Sequence, residues 1–122
     1  MSILTRDEIL RAEDIKTEKV PVPEWGGDVL VRTLTGTERD RIEAYMVENR
    51  IKGKGRGLNY ENLRARLVVS SAVDEKGARL FKRTDIETLG QKSAAALDRV
   101  FEVAQRLSGF APKDVEELTK NS

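Results

Sequence analysis

The stretch Val20–Arg41, VPVPEWGGDVLVRTLTGTERDR, decides how this chain is built. It joins an alternating apolar run, a Trp-Gly-Gly break, a second alternating run and a helix start, with no linker between them. From Ile15 the pattern has a period of two, which puts Val20 and Val22 on one side of an extended strand. Pro21 and Pro23 have no N–H to give to a ladder, so this strand is expected at a sheet edge or ending there. Glycine accepts positive φ at little cost, and EWGG therefore suits a turn. In DVLVRTL, Val29, Val31 and Thr33 face one way and Leu30, Arg32 and Leu34 the other. The unit reads as a β-hairpin with Trp25 at its tip.

Helix signals flank the hairpin. Upstream, Thr5 and Glu8 form a capping box that opens a short helix with Ile9 and Leu10 on its apolar face. Downstream, Thr35 and Glu38 repeat the pattern, and Ile42, Tyr45 and Met46 share one face of the helix that follows. That helix runs into RIKGKGRGLN, where glycines alternate with basic residues in a mobile, solvated loop. NYENLRARLVVSSAV reads as a new helix, capped by Asn59 and apolar nearly all round in its later part, hence a core element. DEKG is a turn with Gly77 suited to a left-handed position, and ARLF is a short extended piece. Thr84 with Glu87 gives a third capping-box signal, and Gly90 reads as the stop of its helix. SAAALDRVFEVAQRLSG carries a clean stripe of Leu97, Val100, Phe101, Ala104 and Leu107. Pro112 suits the start of a last short helix, PKDVEELTK.

The expected fold is α+β, mainly α: an N-terminal short helix and β-hairpin, then a compact bundle of about four to five helices. All 122 residues are read as a single domain. Its parts are helix plus hairpin over 1–35, a helix over 36–51, the basic glycine loop over 52–58, and a helical part over 59–122.

Composition narrows the chemistry. Charged residues are 35% of the chain, but 22 Lys and Arg face 21 Asp and Glu, so the formal charge is only +1. No global field of either sign draws in nucleic acid or an anionic membrane. Cys and His are both absent, which removes disulfides, thiolate nucleophiles, Cys/His zinc sites and the usual near-neutral acid–base group. The start MSILTRDEIL does not read as a secretion signal, and no run approaches the roughly 20 apolar residues of a spanning helix. A cytoplasmic protein is expected.

Four features compete for a functional role. Trp25 is a stacking surface for a base or sugar, a partner anchor, or a staple folded over the hairpin. The basic residues Arg50, Lys52, Lys54 and Arg56 lack the spacing and the Lys-Ser/Thr pair of a phosphate-binding P-loop. A solvated loop, an acidic-partner contact and a nucleic-acid contact all remain open for them. Ser70 and Ser71 have no histidine to activate them; hydroxyls bonded back to the preceding helical turn are the simpler reading, with a Ser–Lys pair as the alternative. The pairs Asp74/Glu75 and Asp85/Glu87 sit where turns and helix starts want acids. No constellation supports catalysis, so no catalytic, cofactor-binding or metal-ligating residues are assigned.

Three segments in series carry a family resemblance: ILTRDEILRAEDIKTEKVPVPEWGGDVLVRTLTGTERDR, RARLVVSSAVDEKGARLF and LGQKSAAALDRVFEVAQRLSGF. Together they resemble the tail assembly chaperones of long-tailed, siphovirus-type phages and prophages, over nearly the whole chain. The resemblance implies a non-enzymatic protein, without cofactor, encoded between the major tail protein and tape measure genes. Such a protein coats the tape measure protein in the host bacterial cytoplasm and keeps it soluble while tail protein polymerises. It also implies self-association, absence from the mature virion, and a longer form made by programmed frameshifting. Lys120-Asn121 fits that last expectation, because the slippery heptamer A-AAA-AAC encodes Lys-Asn. Contact residues are read from side-chain chemistry: Trp25, Tyr45 and Met46 as apolar contacts, and Arg50, Lys52, Lys54 and Arg56 as electrostatic ones. Tyr45 and Met46 serve equally well as core. Two alternatives stand beside this reading: another phage structural or connector protein, and a small nucleic-acid-binding regulator using the basic loop 50–56.

Overall fold

The computed structural model describes residues 2–51 and 62–109, with the side chains of 46–51 outside that description. In chain order the elements are α1 (Arg6–Arg11), β1 (Thr17–Val22), a 3-10 turn (Pro23–Trp25), β2 (Gly27–Arg32) and α2 (Gly36–Ile51). They continue with α3 (Leu63–Ser71), β3 (Ala72–Val73), a 3-10 turn (Arg83–Asp85), α4 (Ile86–Gly90) and α5 (Ala94–Leu107). The class is α+β, mainly α. The basic loop 52–58, the Asn59 cap and the helix expected after Pro112 lie outside the described residues.

The hairpin forms as its pattern demands. β1 and β2 are antiparallel, with Val20 opposite Val29 and Glu18 opposite Val31. β1 is an edge strand, as its prolines require. Gly26 closes the tip with φ +77°, a conformation that costs an L-residue roughly 1–2 kcal/mol. Val20, Val22 and Val31 are buried, and α5 packs against both strands with α3 behind it. The α5 stripe supplies Leu97, Val100, Phe101 and Ala104 to the core, all buried. Ser93 caps this helix, its Oγ accepting from the Ala96 N–H. At the other end the Ser108 Oγ accepts from the Leu34 N–H at 3.0 Å and ties α5 to the start of α2.

Two expectations are corrected. Ala72 and Val73 do not extend α3; they form the third strand, antiparallel to β2, with Leu30 opposite Val73 and Val31 opposite Ala72. Both are buried, and the ladder gives their backbone groups the partners that another helical turn would have given. Thr84 and Glu87 do not close a capping box either. The segment enters α4 through a 3-10 turn, where the Asp85 carboxylate accepts from the Lys82 N–H at 2.7 Å. Gly90 serves a close approach: a Cβ there would collide with the Asn62 side chain. Asn62 itself holds φ +60° ahead of α3, a left-handed conformation that asparagine tolerates.

Other local readings hold. The Thr5/Glu8 capping box is formed, Gly77 has φ +84°, and the Asp74 carboxylate accepts from the Lys76 and Ala78 N–H groups. Trp25 is half-buried and packs on the main core, beside an ion pair between Glu24 and Arg99 of α5. Full removal of a buried aromatic costs about 3–5 kcal/mol, so Trp25→Ala is expected to cost about 2 kcal/mol at its half-buried site, read as a lower urea midpoint.

Candidate functional site

No described side chains assemble a reaction centre. Ser71 is fully buried, with its Oγ donating to the Leu67 carbonyl at 2.7 Å, so its hydroxyl is spent on the preceding turn. Among the described residues no group of three or more acidic, His or Cys side chains is arranged to hold a metal ion. Among them, too, no helix is long and apolar enough to cross a membrane. What the fold offers is surface, and two parts of it stand out.

The first is the N-terminal arm. α1 buries none of its residues. Ile9 and Leu10 are 55% and 67% exposed, and Ile3, Leu4 and Ile15 beside them are open as well. The helix exists because of its ends: the Thr5 Oγ1 and the Glu8 carboxylate exchange hydrogen bonds with each other's backbone N–H. The arm joins the body at Lys16, whose N–H donates to the Thr33 Oγ1 and whose carbonyl accepts from the Thr33 N–H. Its apolar face was legible in the sequence; that none of the described residues covers this face was not.

The second is a groove of about 910 Å³ between α2 on one side and α3, α4 and the segment before α4 on the other. Its floor is apolar, made by Ile42, Val69 and Ile86. Glu38 stands in one wall, buried, with both carboxylate oxygens fully used. Oε1 accepts from Arg32 and from the Thr35 N–H, each at 2.9 Å; Oε2 accepts from Arg32 at 2.7 Å and from Arg79 at 2.8 Å. Burial pushes the Glu38 carboxyl pKa up, but the hydrogen bonds from Arg32 and Thr35 and the charges of Arg32 and Arg79 outweigh it. The net result is a pKa below the ordinary value. This carboxylate joins β2, α2 and the segment after β3. The sequence signal found its capping role and missed its two arginines.

Tyr45 lines the same groove and is half-buried, with the Arg66 guanidinium stacked 3.3 Å from its ring centre. It also packs against the smaller core cluster of Leu34, Ile42, Leu67, Phe101 and Ala104, as its reading as core expects. Trp25 lies elsewhere, on the hairpin side of the core. Met46 and Arg50 have described helical backbone only, and Lys52, Lys54 and Arg56 lie outside the described residues. Of the seven candidate contact residues, the two whose side chains are described, Trp25 and Tyr45, pack against different core clusters. The groove's own arginines, Arg41, Arg66, Arg79 and Arg83, went unnoticed in the sequence, because they come from three distant segments and form no run.

A family model described as "Phage tail assembly chaperone" matches residues 6–121. Among solved structures, that of the bacteriophage HK97 tail assembly chaperone is similar, with a TM-score of 0.58 and 19% sequence identity. The match covers 86% of this chain and 94% of that one. No curated protein matches the chain.

Proposed function

The chain belongs to the phage tail assembly chaperone family, and from that membership we propose that it binds the tape measure protein of its phage and keeps it soluble until the tail tube forms around it. The work is non-enzymatic and needs no cofactor. It takes place in the host bacterial cytoplasm, and the protein leaves before the virion is complete. The observation that supports this reading is the N-terminal arm, whose apolar residues Ile3, Leu4, Ile9, Leu10 and Ile15 are exposed and have no cover among the described residues. A chaperone of a long helical client must hold apolar surface open on a body that is itself folded, and an amphipathic arm on a capped, packed domain supplies it. Self-association of this protein, a longer frameshifted partner form and a contact with the major tail protein belong to the same proposal.

Co-expression with the tape measure protein encoded beside it is the test. The client is expected to shift from the insoluble to the soluble fraction and to co-elute with this protein in size-exclusion chromatography. If the client stays insoluble both with this chain and with a version extended through the Lys120-Asn121 slippery site, the proposal fails. Mass spectrometry of purified virions separates a chaperone from a connector or other structural subunit, which would remain in the particle.

A further inference from the structure

We propose that the groove between α2 and α3–α4 receives an acidic segment of a partner protein, with its carboxylates on Arg41, Arg66 and Arg83 and its apolar side chains on the floor. That the partner is a tail protein rests on the function proposed above; the groove's chemistry does not.

Three arginines decide it. The other described arginine side chains are engaged: those at 6, 32, 39, 64, 79, 99 and 106 pair with carboxylates, and Arg11 donates to the Asp7 carbonyl. Arg41, Arg66 and Arg83 are the described arginines whose side chains donate to no oxygen, and all three line this one groove. Arg66 is the most constrained. Its guanidinium lies flat on Tyr45, and its Nε is buried with no hydrogen-bond partner. A buried guanidinium N–H without an acceptor carries a free-energy cost. Arg41 and Arg83 are exposed at the groove's rim, one on α2 and the other before α4. Glu38 is already saturated, so Glu87 is the acid left in the lining to offset these three cations.

The remaining features choose the occupant. A nucleic-acid backbone would have no use for the apolar floor of Ile42, Val69 and Ile86. An acidic peptide uses both: arginine forks take carboxylates in bidentate fashion while aliphatic side chains cover the floor. A second copy of this chain fits less well. Among its described residues, carboxylates engaged by no cation or backbone N–H fall next to each other only at Glu13–Asp14.

The test uses the full-length protein and a short fluorescent helical peptide carrying glutamate and leucine on one face, read by fluorescence anisotropy. The glutamate peptide is expected to bind at low salt and to be released as ionic strength rises, because the contacting charges are partly exposed. Its glutamine counterpart is expected to bind about tenfold more weakly, and the double variant Arg41→Gln/Arg83→Gln to lose about tenfold for the glutamate peptide. Arg41 and Arg83 are exposed and form no ion pair among the described residues, so the variant should melt as the wild type does; Arg64→Gln/Arg106→Gln, away from the groove, controls for net charge. The proposal is overturned if the glutamate peptide does not bind. It is equally overturned if the groove variant binds that peptide unchanged, or if the glutamine peptide binds as tightly. A single-stranded oligonucleotide held more tightly than the peptide and lost in the variant would make the groove a nucleic-acid site instead. Self-association lost in the variant, with no peptide binding, would make a second copy the occupant. Because this assay needs no tape measure protein, its failure leaves the chaperone reading standing, and failure of the co-expression leaves the assay intact.

Discussion

Replacing Glu38 with glutamine is expected to lower the protein's stability by about 2 kcal/mol, although only one oxygen is exchanged for nitrogen. Glutamine keeps the capping box, because its side-chain oxygen still accepts from the Thr35 N–H. What it removes is the negative charge between Arg32, whose side chain is 17% exposed, and Arg79, at 51%. Breaking a fully buried ion pair costs about 3–5 kcal/mol; the half-open position of Arg79 places this case below that range. Alanine is expected to cost about 1 kcal/mol more, since it also loses the cap.

The pH dependence carries a sign. The folded pKa of Glu38 is lowered, so the stabilisation from its charge is full above the unfolded pKa of about 4.3 and disappears as pH falls through the folded value. Urea midpoints of wild type and Glu38→Gln should therefore differ by a constant amount above about pH 5 and converge below about pH 4. A difference that persists unchanged into strong acid would mean that the glutamine disturbs packing, not charge.

Removing residues 2–14 is expected to have the opposite profile: no change in thermal stability and near-complete loss of client binding. Residues 2–14 are all exposed, and the cut falls before Lys16, whose backbone bonds to Thr33 anchor it. The point-variant form is Ile9→Glu/Leu10→Glu, which keeps the Thr5/Glu8 cap and places charges on the apolar face. Soluble tape measure protein recovered by co-elution should fall at least about tenfold, as expected when a central apolar anchor is removed from an interface. A lower melting temperature would show that the arm packs on the body. Undiminished client recovery would assign the client to another surface, and the arginine groove becomes the next place to look.

The parts of this protein that were legible in its sequence are those whose partners lie within a few residues. The boxes at Thr5/Glu8 and Thr35/Glu38 close over three residues, the α5 stripe repeats with the helical period, and the prolines of β1 exclude a central strand whatever surrounds them. Each is a constraint the backbone applies to itself. Ala72–Val73 shows the limit. A short apolar run following a helix satisfies a helical pattern and a strand pattern equally, and its pairing with β2, some forty residues away, decided between them.

The candidate surfaces divide along the same line. Local charge density pointed to Arg50–Arg56, a run of cations visible in one dimension. The cations that the fold gathers in its groove come from α2, α3 and the segment before α4, and no spacing rule connects positions 41, 66 and 83. Whether an arginine is spent or free depends on which carboxylates the tertiary structure brings to it: Arg79 reaches Glu38 across 41 positions, and Arg106 reaches Glu18 across 88. By itself the sequence determined the hairpin, the boxes at Thr5/Glu8 and Thr35/Glu38, the inward faces of the hairpin and α5, and the family. Only the tertiary structure decided that, among the described residues, the arm's apolar face is exposed and three arginines are left without acceptors, because burial and ion pairing depend on contacts between segments far apart in the chain.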